Sequence, residues 1–72
     1  MSKYKIQVTP TGSPIGVYIA ADIQADLFND GKTYLTAAAA VKAAQKTINK
    51  HDCYKWALGI HFFITARFTD EG

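Results

Sequence analysis

The most reactive side chains in the sequence stand together at His51, Asp52 and Cys53. A cysteine nucleophile needs a base within hydrogen-bond reach, and a zinc site needs about four ligands in tetrahedral array. Residues two apart on an extended chain share a side, so His51 and Cys53 can meet there. Only His61 offers a further nitrogen or sulfur ligand. We therefore read the trio as the turn that ends a helix, with His51 near the negative end of the helix dipole. "GSPIG" (Gly12 to Gly16) has glycines but no following lysine and no strand-to-helix context of the right kind, so it is not a phosphate loop. Asp22 and Asp26 are paired carboxylates, yet nothing supplies a pocket or raises either pKa, and both read as solvated. No acid, base and nucleophile converge. The expectation is a protein without catalysis, metal or cofactor.

Two other groups of residues suggest binding. Lys42, Lys46 and Lys50 recur at i, i+4 and i+8, with Gln45 and Asn49 beside them. Such a ridge can contact phosphates, at about one unit of salt slope per contact. Against that reading, lysines near a helix C-terminus are favoured by the dipole, and every surface helix needs a polar face. No aromatic is interleaved to stack on bases, and Arg67 is the sole arginine. The row reads first as the wet side of a helix, with electrostatic steering as its secondary role. The second group is Tyr18, His61, Phe63 and Arg67, flanked by Lys3, Lys5 and Lys55, on the expected uncovered face of a sheet. Exposed aromatics there would form a protein-binding or self-association surface.

The elements that position these residues follow from periodicity. "KYKIQVT" alternates, with Tyr4, Ile6 and Val8 on one face of a half-buried strand. "TPTGSP" (Thr9 to Pro14) ends it. Residues 15–28 fit two patterns. As a strand they place Val17, Ile19, Ala21, Ile23, Ala25 and Leu27 inward. As a helix they offer Ser13 as N-cap, Pro14 at the first position and a row at Ile15, Ile19, Ile23 and Leu27. The β-branched run around Tyr18 and the early Gly16 favour the strand, which we take while the helix stays open.

After the "NDG" turn, Thr36 caps an alanine-rich helix whose apolar stripe is Ala37, Val41, Ala44 and Ile48. The chain then alternates from Tyr54 to Phe68, with Trp56, Leu58, Ile60, Phe62, Ile64 and Ala66 on the inner face. Unbroken, that strand would run about 50 Å, too long for a small domain, so it must bend, at Gly59, or overhang its partners. The expected fold is α+β: a ββαβ chain with an antiparallel sheet and the alanine-rich helix packed on one face.

Bulk properties bound the class. At 72 residues there is room for one domain, residues 1–72. With 49% apolar and 19% charged residues the composition is globular, although a core this small is marginal. Cys53 is the single cysteine, which precludes an internal disulfide and suits a reducing cytoplasm. "MSKYKIQV" opens on a strand pattern and does not read as a signal peptide. "WALGIHFFITA" is too short to span a bilayer. The net charge of +2 is too small to imply nucleic acid by itself. Its distribution says more, since Asp22, Asp26 and Asp30 oppose Lys42, Lys46 and Lys50 in two patches suited to protein recognition.

The succession of "KIQVT", a second strand, a "DGK" turn, the helix "AAAAVKAA" and a final strand resembles the layout of small phage-encoded inhibitors of bacterial defence, including some anti-CRISPR proteins. That resemblance is one of topology and covers most of the chain. It implies a viral, cytoplasmic, non-enzymatic protein that blocks a larger complex by binding it. Several such inhibitors are strongly acidic DNA mimics, a pattern from which this basic chain departs. The sequence thus leads to a protein-binding module, with a small nucleic-acid-binding protein using the lysine ridge as the alternative.

Overall fold

The two ends of the chain pair with each other. In the computed structural model, which describes residues 3–69, β1 (Lys3–Pro10) runs antiparallel to β2 (Phe62–Thr69), in a register from Lys3 opposite Thr69 to Pro10 opposite Phe62. The extremities of the expected 1–72 domain, residues 1–2 and 70–72, lie outside the described residues. Between the strands come α1 (Pro14–Leu27), α2 (Ala37–Asn49) and the single turn α3 (Asp52–Lys55). The chain is a small α+β protein with an antiparallel sheet and an alanine-rich helix over one face of it.

Within residues 15–28 the chain is helical as far as Leu27, with Phe28 as the C-cap, and the strand reading is corrected. Ser13 is extended and its hydroxyl accepts from the Gly16 N–H at 2.9 Å, while Pro14, with no N–H to satisfy, opens the first turn. Local capping is joined by a tertiary reason. The Gln24 side chain accepts from the Val8 N–H at 2.8 Å and donates to the Ile6 carbonyl at 3.1 Å. One amide thus stands in for a neighbouring strand along the outer edge of β1. Tyr34 completes that edge by exchanging two 2.8 Å backbone bonds with Tyr4. A second strand is unnecessary where a helix closes the edge this way. These bonds also satisfy β1 backbone groups that would otherwise be costly to bury.

Thr36 caps α2 as expected, accepting from the Ala39 N–H at 3.1 Å. The buried stripe is Ala40, Ala44 and Ile48; Ala37 is exposed and Val41 only half-buried, so the stripe is narrower than expected and starts later. Alanines let the helix approach the strands closely, and α2 lies across both.

The long final strand is shortened. Its first part coils into α3 and a turn at Gly59, whose φ of 84° suits glycine, and β2 begins only at Phe62. The core joins Val8, Ala20, Ile23, Ile48, Ala57 and Phe62. Phe62, Ile23 and Ile48 are its largest fully enclosed side chains, each stabilising by about 1.5–3 kcal/mol through burial. Among the described residues, no helix is long and apolar enough to cross a membrane.

Candidate protein-interaction surface

The four residues assigned to an uncovered sheet face divide between elements. Phe63 and Arg67 do share one face of β2, with Thr65 between them and Thr9 and Lys5 opposite on β1. Both are exposed, and their placement outside the core stands. Tyr18 is exposed as expected, at 77%, but it belongs to α1 and not to the sheet. His61 precedes β2 in the turn. Ala20 and Ala57, neighbours in the chain of Tyr18 and Trp56, are buried in the core.

His61 organises the corner where β1 ends, α1 begins and β2 starts. Its backbone carbonyl accepts from the Thr11 N–H at 3.1 Å, and the Thr11 hydroxyl donates to the Ile60 carbonyl at 2.9 Å. The first turn of α1 sits so close to this carbonyl that a Cβ on Gly16 would collide with it. On its other side the His61 ring meets Trp56 edge to face, with centroids 5.4 Å apart. The Trp56 indole N–H donates to the Cys53 carbonyl at 2.7 Å, which fixes the ring while leaving it 56% exposed. The Ser13 hydroxyl, already the helix cap, lies 3.4 Å from His61 Nδ1.

Around this corner the surface is unusually apolar. Ile15, Val17 and Tyr18 occupy the first turns of α1, each more than half exposed. Together with Gly16, Ile19 and Ala20 they make the start of α1 apolar on every side, as in a helix that has company all round. Trp56 and Ile60 add two more exposed side chains from the turn, and Phe63, opposite Thr9, a third from β2. Trp56 and Ile60 were expected inward, and that assignment is corrected. Their alternation with Leu58 carried a strand signal into a segment that coils instead. The bend expected at Gly59 is present, with φ 84°, but the sequence did not show that the residues before it coil.

The lysine ridge is where the sequence placed it. Lys42, Lys46 and Lys50 are all exposed on α2, away from Ala40, Ala44 and Ile48. A groove of about 380 Å³ opens between β1 and the turn after α1, lined by Lys5, Gln7, Gln24, Phe28, Lys32 and Arg67 among others, with Asp30 its one acidic member. Of the 51–53 trio, His51 is the extended N-cap of α3, while Asp52 and Cys53 lie in its single turn with Cys53 exposed. Among the described residues, no three His, Cys, Asp or Glu side chains gather as metal ligands would.

Asp26 has a partner in Tyr54, whose hydroxyl donates to it at 3.1 Å. This hydrogen bond, followed by desolvation and the neighbouring charges of Asp26, Cys53 and Asp22, raises the Tyr54 pKa. Compared with known protein families, curated proteins and solved structures, the chain matches none of them.

Proposed function

We propose that this chain is a non-catalytic protein-binding module acting in the cytoplasm, and that its apolar corner is the contact surface. The observation that carries this reading is the distribution of exposed large apolar side chains. Of the eight that are exposed among the described residues, Ile15, Val17 and Tyr18 lie on the first turns of α1, and Trp56, Ile60 and Phe63 flank His61 in the chain. Single exposed apolar residues are ordinary, whereas a concentration at one end marks a surface that a partner covers. Tyr18 and Trp56 are the anchors, being the residue types that carry most binding energy at protein interfaces. Arg67, with Lys5 beside it, supplies a charged rim.

The partner in this reading is a larger protein assembly that the module blocks by occupying its surface, the inhibitory role implied by the phage-inhibitor resemblance. The lysine ridge then serves to steer association, raising the on-rate more than the affinity. A second reading, nucleic-acid binding through Lys42, Lys46 and Lys50, is favoured by one observation: α2 carries no acidic residue to offset the three exposed ammonium groups. Affinity capture with tagged protein separates the two, run at low and moderate salt, with and without nuclease. The protein-binding reading expects a discrete protein that survives both treatments. Nucleic acid released by salt would overturn it.

A further inference from the structure

The two edges of the sheet are finished differently. On β1, Tyr4, Ile6 and Val8 turn backbone groups outward, and Tyr34 and Gln24 bond to them. Because those even-numbered residues face away from β2, the odd-numbered pairs, such as Lys5 with Arg67 and Gln7 with Thr65, carry the ladder. The even-numbered residues of β2 therefore turn their N–H and C=O groups to its outer edge. Phe62 is served by the turn, its carbonyl accepting from the Gly59 N–H at 2.7 Å. Ile64, Ala66 and Phe68 have no such partner among the described residues. Their edge "FFITARFT" contains no proline, lysine or acid, the usual devices that stop one edge from pairing with another. Phe68 is 55% exposed beside it.

We propose that this edge pairs with the same edge of a second copy, giving a four-stranded antiparallel sheet about a two-fold axis at Ala66. The commitment to a second copy rests on self-complementarity. An antiparallel register centred on Ala66 sets Ile64 against Phe68 of the other copy, and Ala66 against Ala66, so every free edge residue enters a hydrogen-bonded pair. Centring on Thr65 would instead oppose Phe68 to Phe62, whose groups are already used. The Ala66 register also puts each Arg67 opposite a Thr65 and avoids facing like charges. It places Ile64 against the exposed Phe68 ring on the helix-covered face. A sheet of two strands is marginal alone, and the pairing doubles it. The inference rests on the backbone groups of Ile64, Ala66 and Phe68 and not on the side chains of the Tyr18–Trp56 corner, so it does not depend on the function proposed for that corner.

Light scattering and sedimentation equilibrium over a concentration series test it. The expected mass approaches twice the 7.9 kDa of one chain as concentration rises. Ala66→Pro removes an N–H that bonds to no other described residue, so it should shift the monomer–dimer midpoint by at least about tenfold with an unchanged circular-dichroism spectrum. Should proline disturb the strand, Phe68→Lys makes the same test by charging the edge. Register is read by mild oxidation in a Cys53→Ser background. Ala66→Cys should yield a disulfide-linked dimer, its Cα atoms about 5.5 Å apart across the axis. Thr65→Cys, at a diagonal separation of about 7–8 Å, should not. A monomer at every concentration would overturn the proposal. So would a dimer indifferent to both Ala66→Pro and Phe68→Lys, or one cross-linked through Thr65→Cys in preference to Ala66→Cys.

Discussion

The corner around His61 and the outer face of α2 are both exposed, yet they are built in opposite ways. At the corner, Trp56 is held by a hydrogen bond and an aromatic contact, and α1 is pressed onto a carbonyl by a glycine. The Trp56 ring is thus held in place, which lowers the ordering cost of any binding through it. On α2 and at its C-cap the three lysines are exposed, and among the described residues no partner holds Lys42, Lys46 or Lys50. Such charges act at a distance and are screened by salt. Under the proposed function the difference assigns affinity and encounter rate to different places: the apolar corner sets how tightly a partner is held, and the lysines set how often it arrives.

The comparison breaks most completely if the corner is taken apart. Gly16→Val forces a branched side chain against the His61 carbonyl, and overpacking against backbone outweighs any gain in helix propensity. A loss of about 2–3 kcal/mol is expected, measured by urea unfolding, and partner binding should fall with it. Next in size is a change that spares the fold. Tyr18→Asp with Ile60→Asp replaces side chains that are 77% and 62% exposed, so the circular-dichroism spectrum should persist. Affinity for a captured partner should fall by about 100-fold, the scale of a lost hot spot, as read by calorimetry.

A smaller effect is expected at the ridge. Lys42→Glu with Lys46→Glu should slow association by about tenfold at low salt and by little near physiological salt, with dissociation unchanged in surface-plasmon kinetics. The smallest concerns the tie between α3 and α1. Because the folded-state pKa of Tyr54 is raised, its bond to Asp26 contributes fully below the ordinary tyrosine pKa. That contribution is lost as pH rises through the raised value. Tyr54→Phe should therefore remove the highest-pH component of the tyrosinate absorbance titration and leave neutral-pH binding intact.

How far the sequence revealed this arrangement depends on whether local pattern and tertiary need agreed. Thr36 and the alanine run specified α2 unaided, and the alternation of "KYKIQVT" specified β1, because each signal had one reading. The α1 segment carried two. Its Ser13–Pro14 start was a correct helix signal, but Val17, Ile19 and Ile23 argued for a strand. What decides between them is the amide of Gln24 closing the β1 edge, a contact that sequence spacing does not display. In the last third, apolar alternation from Tyr54 onward was genuine only after Phe62. The earlier Trp56, Leu58 and Ile60 alternate within a coiled turn. Of the candidate surface, Phe63 and Arg67 were legible because β2 preserves period two. The exposure of Trp56 and Ile60 was not, since it depends on the segment before Phe62 coiling.

The most direct test compares three proteins in one affinity-capture experiment from nuclease-treated cell lysate at moderate salt: the unaltered chain, Tyr18→Asp with Ile60→Asp, and Lys42→Glu with Lys46→Glu. The account predicts that the same discrete protein is retained by the unaltered chain and by the lysine variant, and is lost from the corner variant. Retention by the corner variant with loss from the lysine variant would contradict it, and would move the binding surface to α2.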